Sequence, residues 1–181
     1  MRRQVTIQDE PLWLDDSLAW LLVFKGAFDE DALFFLYDEL PKLIPVLVGE
    51  LPDVAALDTQ FLLRVFWAMA KNADPNFVDP DTYFQAFEVF PIGEILEALT
   101  DMLYRSSVFV SKHDRSDGDG TKPTTAVILA AGLRAGLTIA DASLLRLSDW
   151  LEVLDAMLGG DSSKDTIREA TQADFDAFAR M

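Results

Sequence analysis

The sequence predicts a mainly α-helical fold: a compact helical domain with a small N-terminal β-hairpin and a flexible C-terminal tail. Three observations predict it. Apolar residues recur at helical spacing through most of the chain, in stretches closed off by Asp, Pro and Gly. Only the first residues alternate with period two. After Gly159-Gly160 the sequence turns polar before two phenylalanines return. The helical domain is therefore expected over 1–158, with a mobile loop at 111–122, and a linker and tail over 159–181.

The hairpin comes first. Val5 and Ile7 face one way while Thr6 and Gln8 face the other, the pattern of a half-buried strand. Gln8-Asp9-Glu10-Pro11 suits a turn, and Leu12-Trp13-Leu14 a short return strand. A two-stranded hairpin is marginal alone, so it must pack on the helices or pair with another chain. Asp15-Asp16-Ser17 offers a helix start, with Leu18 to Phe24 as its body and Gly26 as its terminator. Asp29-Glu30-Asp31 opens the next helix, carried by Leu33, Phe34, Leu36 and Tyr37. Pro41 and Pro45 are expected to break or kink it, leaving a separate short helix over 42–51.

The stretch 61–91 is the richest in aromatics. Asp53 can cap the approach to a central helix expected at about 57–73, interrupted after Phe61 only by Arg64 and Lys71. A helix apolar on nearly every face calls for neighbours on several sides. Pro75 disfavours helical geometry at Asp74. Asp79 can then cap a second helix with Pro80 at its first position, carrying Phe84 and Phe87 and ending at Pro91.

From Ile92 to Arg105 the pattern is amphipathic: Ile95, Leu96, Leu99, Met102 and Leu103 form the stripe, and Glu94, Glu97 and Asp101 the wet face. Residues 107–110 read equally as a short strand or a helix end. The polar, glycine-punctuated loop at 111–122 follows. Helical spacing resumes from Thr124, where Gly132 and Gly136 weaken the end. Thr138 and Asp141 are spaced as a capping pair. Ser148 starts the last core helix, which Gly159-Gly160 ends.

Composition excludes several functions. Half the residues are apolar, enough for a core without metals or disulfides, and there is no cysteine, which fits a reducing compartment. A net charge of -16 repels phosphate backbones and anionic membranes, so neither nucleic acid nor membrane is expected as a partner. Arg2 and Arg3 are followed by polar residues, not by the apolar core of an export signal. The longest uncharged run, 123–133, is well short of the roughly 20 residues a spanning helix needs.

Catalytic signatures are lacking. His113 is the only histidine and sits beside Asp114 in the polar loop, where a solvated role is the simpler reading. Asp114, Asp117 and Asp119 invite a calcium reading. If Asp119-Gly120 fills positions five and six of the calcium loop, Arg115 and Ala126 occupy ligand positions one and twelve, and both fail. No phosphate-binding or dinucleotide-binding glycine pattern occurs. No catalytic, cofactor-binding or metal-binding residue is assigned, and no enzyme is expected. Phe61, Phe66, Trp67, Phe84 and Phe87 read as core. Phe175 and Phe178, at helical spacing in the tail, either pack back onto the domain or dock onto a partner.

Several of these patches are familiar in combination. Trp67-Ala68-Met69-Ala70-Lys71-Asn72-Ala73-Asp74, the aromatic run 83–87 and then Pro91-Ile92 resemble the core of the tail assembly chaperones of long-tailed (siphovirus-type) phages and prophages of Gram-positive bacteria. The opening strand and the helix around 20–24 are similar too, as is the ending at 170–178. Together these patches take in the larger part of the chain, whereas 111–122 and 124–136 fit the family less well.

The resemblance implies a non-enzymatic role in the host cytoplasm. Such chaperones coat the tape measure protein, keep it soluble and help recruit the major tail protein. It assigns partner binding to Thr171, Gln172, Asp174, Phe175 and Phe178. It also implies that this is the short product of a gene that can be frameshifted, and it permits a homo-oligomer. Two alternatives differ in class: an acidic mimic of nucleic acid that occupies a DNA-binding protein, and a metal-dependent enzyme built on the loop from Asp114 to Asp119.

Overall fold

The computed structural model describes residues 1–50, 52–105 and 124–157. The loop at 111–122, the undecided segment 107–110, Gly159-Gly160 and the tail lie outside these residues. Among the described residues the fold is mainly helical, with one two-stranded antiparallel sheet at its start.

Strands β1 (Arg2–Ile7) and β2 (Glu10–Asp15) pair with Arg3 opposite Leu14, Val5 opposite Leu12 and Ile7 opposite Glu10. The turn is only Gln8-Asp9, both at positive φ (48° and 65°), the form whose twist matches the flanking strands. The return strand is therefore longer than the sequence suggested and includes Pro11. Ile7 and Leu14 are buried, while Trp13 stands on the opposite face with half its surface in water. The hairpin pairs within the chain and packs on helices.

Asp15-Asp16-Ser17 does not start a helix. Leu18 and Ala19 donate their N–H groups to the carbonyls of Leu145 (2.7 Å) and Ala142 (3.0 Å), and Ser17 bridges to Arg146. These long-range bonds hold the segment non-helical, and α1 (Trp20–Phe28) begins later without a side-chain cap. It runs through Gly26 and stops at Asp29, which adopts the left-handed conformation. Asp31 then caps α2 (Ala32–Leu47) and also accepts from the N–H and hydroxyl of Thr125, both at 2.9 Å.

Helix α2 contains both Pro41 and Pro45, so the expected break does not occur. Each interior proline costs about 3 kcal/mol or more. Leu33, Leu36, Leu40 and Leu43 are almost fully buried, each contributing about 1.5–3 kcal/mol, and helix α5 (Ile92–Arg105) covers this face. Pro41 lies on the exposed side, where carbonyls that lose a partner can turn to water. Packing wins.

Asp53 caps a separate 3-10 turn (Val54–Ala56), and Asp58 caps the central helix α3 (Thr59–Ala73) by accepting from Phe61 N–H at 3.0 Å. Glu39 of α2 accepts from Asp58 N–H, tying the two helices together. The hairpin's β2, α1 and the later α5 all pack on α3, as its all-round apolar surface requires.

Helix α4 (Pro80–Gln85) has the expected Asp79 cap and leading proline and carries Phe84, but it ends before Phe87 and Pro91; Pro91 instead leads into α5 (Ile92–Arg105). All five stripe residues expected on α5 are buried. Thr100 is also buried there, its hydroxyl without a hydrogen-bond partner among the described residues.

Thr124 caps α6 (Thr125–Arg134). The helix runs through Gly132, which also serves its packing. A Cβ there would lie 1.9 Å from the Trp150 ring, whose Nε1 donates to Ile128 O. Gly136, at φ 90°, ends it. Thr138 and Asp141 bond reciprocally, as their spacing suggested, before a single 3-10 turn (Asp141–Ser143). Helix α7 (Leu147–Met157) starts one residue before Ser148. Asp149 reaches back to the N–H of Arg146 at 3.1 Å.

Candidate functional site: an aromatic groove at the hairpin tip

The site begins with the end of α3. Trp67 and Lys71 are four residues apart and so share a helix face. The Trp67 indole N–H donates to Val78 O at 2.8 Å, and the Lys71 ammonium to Phe77 O at 2.6 Å. Asp74 turns the chain by accepting from Asn76 N–H. Asn72 points the other way and donates to Ser17 Oγ at 3.0 Å, fixing the end of the hairpin. Thus Trp67-Ala68-Met69-Ala70-Lys71-Asn72-Ala73-Asp74 is a clamp that sets both α4 and the hairpin on α3.

Asp79 accepts from the hydroxyl and N–H of Thr82, which hold its carboxyl below the ordinary value. The helix so placed carries Tyr83 and Phe84, two members of a chain of rings that extends beyond both its ends. Tyr83 stacks over Phe66 at 6.4 Å and meets Phe77, Phe84 and Phe87 at 4.9–5.2 Å. Phe90 continues the chain from Phe84 and Phe87 at 5.9 Å. Burial pushes the Tyr83 hydroxyl up to about 12.

Opposite α4 stands the hairpin tip. Gln8 donates its backbone N–H to Glu94 Oε2 (2.6 Å) and its side-chain amide to Val89 O (2.5 Å), closing the tip onto the α4–α5 connection. Between them lies a groove of about 340 Å³, walled by Ile7, Pro11 and Leu12 on one side and Tyr83, Ala86 and Phe87 on the other. Its charged lining residue is Glu10. From 72 to 104 the chain has Asp74, Asp79, Asp81, Glu88, Glu94, Glu97 and Asp101 but no Lys, Arg or His. A second groove, of about 320 Å³, lies between β1 and α5 and is mostly polar, with Arg3 paired to Asp101.

The strongest ionic cluster is structural. The Met1 α-amine contacts Asp15 Oδ1 (2.9 Å) and Asp16 Oδ1 (2.5 Å), and Arg146 pairs with Asp16 Oδ2 at 3.3 Å. Burial alone would raise the Asp15 pKa. The N–H of Ser17 and the α-amine outweigh it and leave the carboxyl below its ordinary value. This cluster joins the start of the chain to the α7 entrance.

The sequence-assigned partner residues Thr171, Gln172, Asp174, Phe175 and Phe178 lie outside the described residues, as do His113, Asp114, Asp117 and Asp119. The described residues contain no group of three or more His, Cys, Asp or Glu placed to hold a metal. None of their helices is long and apolar enough to cross a membrane. The aromatic cluster read as core divides. Phe61, Phe66 and Trp67 are buried, while Phe84 and Phe87 are half-buried against that core. The available signal was the alternation of polar Asp81, Gln85 and Glu88 with the rings Tyr83, Phe84 and Phe87, around a helix only six residues long.

Compared with models of known protein families, with curated proteins and with solved structures, the chain matches none.

Proposed function

We propose that this chain is a phage tail assembly chaperone: it binds the tape measure protein, keeps it soluble, and helps recruit the major tail protein in the cytoplasm of the bacterial host. The observation that carries the reading is the ordered series at 67–74, 83–87, 91–92 and 170–178, which resembles that family in sequence and order. The physical setting supports it. A tape measure protein is long and largely helical, and its apolar stripe needs cover before assembly. An acidic domain of charge -16 that also presents apolar side chains can supply cover and keep the array soluble. Beyond the groove, α2 and the residue that ends it present Phe35, Ile44 and Val48, which are 40, 50 and 72% exposed. Co-expression tests the reading. The tape measure protein is expected in the soluble fraction with this chain and in the pellet without it; equal insolubility in both would overturn the proposal.

A further inference from the structure

From the groove between the hairpin tip and α4 we infer a docking site for a basic amphipathic helix, whose apolar side chains enter the groove while its Lys and Arg residues meet the surrounding carboxylates. The first support is shape and lining. About 340 Å³ lies near the lower end of the range for binding pockets, about 300–1,000 Å³, and suits a few apolar side chains. Pro11, Leu12, Tyr83, Ala86 and Phe87 supply apolar walls, and Gln8 closes one end through Val89 and Glu94. The walls are fixed in place, because the Trp67 and Lys71 bonds anchor α4 before any partner arrives.

Charge decides the occupant. The tip carries Asp9 and Glu10, and the facing segment 72–104 carries carboxylates and no cation. A second copy of this chain, at -16, would bring like charge to an acidic rim. The chain's own 159–181 segment has Asp161, Asp165, Glu169, Asp174 and Asp176 against only Lys164, Arg168 and Arg180, so it too is mismatched. A nucleic acid is excluded by the same sign. A helix with Leu or Phe on one face and Lys or Arg beside it satisfies both walls and rim.

The inference rests on the chaperone reading only for naming that helix as part of the tape measure protein. Its test uses a labelled synthetic peptide of about 18 residues, long enough to become helical on docking, with Leu and Phe on one face and Lys on the other. Fluorescence anisotropy is expected to show saturable binding. A version with Glu for Lys, and one of the same composition with the apolar face scrambled, are each expected to bind at least about tenfold more weakly, a difference of about 1.4 kcal/mol. Ala86→Lys, a change at an exposed groove residue, should weaken binding by a similar factor with an unchanged thermal melt. Leu144→Lys, at a 71% exposed position elsewhere, should not.

Equal binding of the scrambled peptide, or undiminished binding by a folded Ala86→Lys chain, would overturn the site. If the tape measure protein stays insoluble with the wild-type chain while the Lys peptide still docks in the groove, the chaperone reading fails and the groove stands. If wild type and Ala86→Lys solubilise it equally, the groove assignment to that partner fails and the chaperone reading stands.

Discussion

Helices α3 and α4 come from one aromatic-rich stretch, yet they do opposite things with their rings. Over its 15 residues α3 buries Phe61, Phe66 and Trp67 beneath β2, α1 and α5. Helix α4 has six residues and buries none of them fully. One side of its ring chain leans on the core, and the other walls the groove beside Pro11 and Leu12. Aromatic content therefore signals a need for cover. Which helix obtains it within the chain depends on how many elements can reach it. The α3 rings are scaffold, and the rings at α4 stay half-exposed beside the groove.

The largest expected effect separates the buried rings of α3 from the groove rings by stability. Phe66→Ala should cost about 3–5 kcal/mol in urea unfolding, as for other fully buried phenylalanines. Phe87→Ala, half-buried, should cost about 1 kcal/mol. Equal losses would erase the distinction between core and groove.

A smaller effect sits at the joint between them. Trp67→Phe removes the donor to Val78 O and should cost about 1–2 kcal/mol. Amide exchange at 76–79 is expected to quicken while the interior of α3 stays protected. Unchanged exchange at 76–79 would show that the indole bond does not hold α4 in place.

The smallest effect is on titration. Burial raises Tyr83 from 10.0 to about 12, so the folded state favours its neutral form. The corresponding stability is full below pH 10 and is lost as pH rises toward 12. Ultraviolet absorbance titration should show a late-ionising tyrosine that Tyr83→Phe abolishes. Loss of an early step instead would place Tyr83 in water and open the groove wall.

Local chemistry was readable from the sequence. The stripe of α5, the Asp79-Pro80 start of α4 and the Thr138–Asp141 pair depend on residues within a few positions of one another, and each formed as spaced. Features set by distant partners were not readable. Asp15-Asp16-Ser17 looks like a helix start until Leu145, Arg146 and the Met1 amine compete for it. Pro41 and Pro45 look like breaks until α5 covers the leucines beside them. Gly132 looks like a weak point until Trp150 needs the space. The groove belongs to this second group, since its walls come from 7–12 and 83–87 and nothing in either segment announces the other.

The sharpest test is hydrogen exchange on the chain co-expressed with the proposed partner, the tape measure protein. New protection is expected at 8–12 and 80–90, with α3 unchanged from the free chain. A soluble complex in which those segments exchange as they do in the free chain, with protection gained only elsewhere, would contradict it.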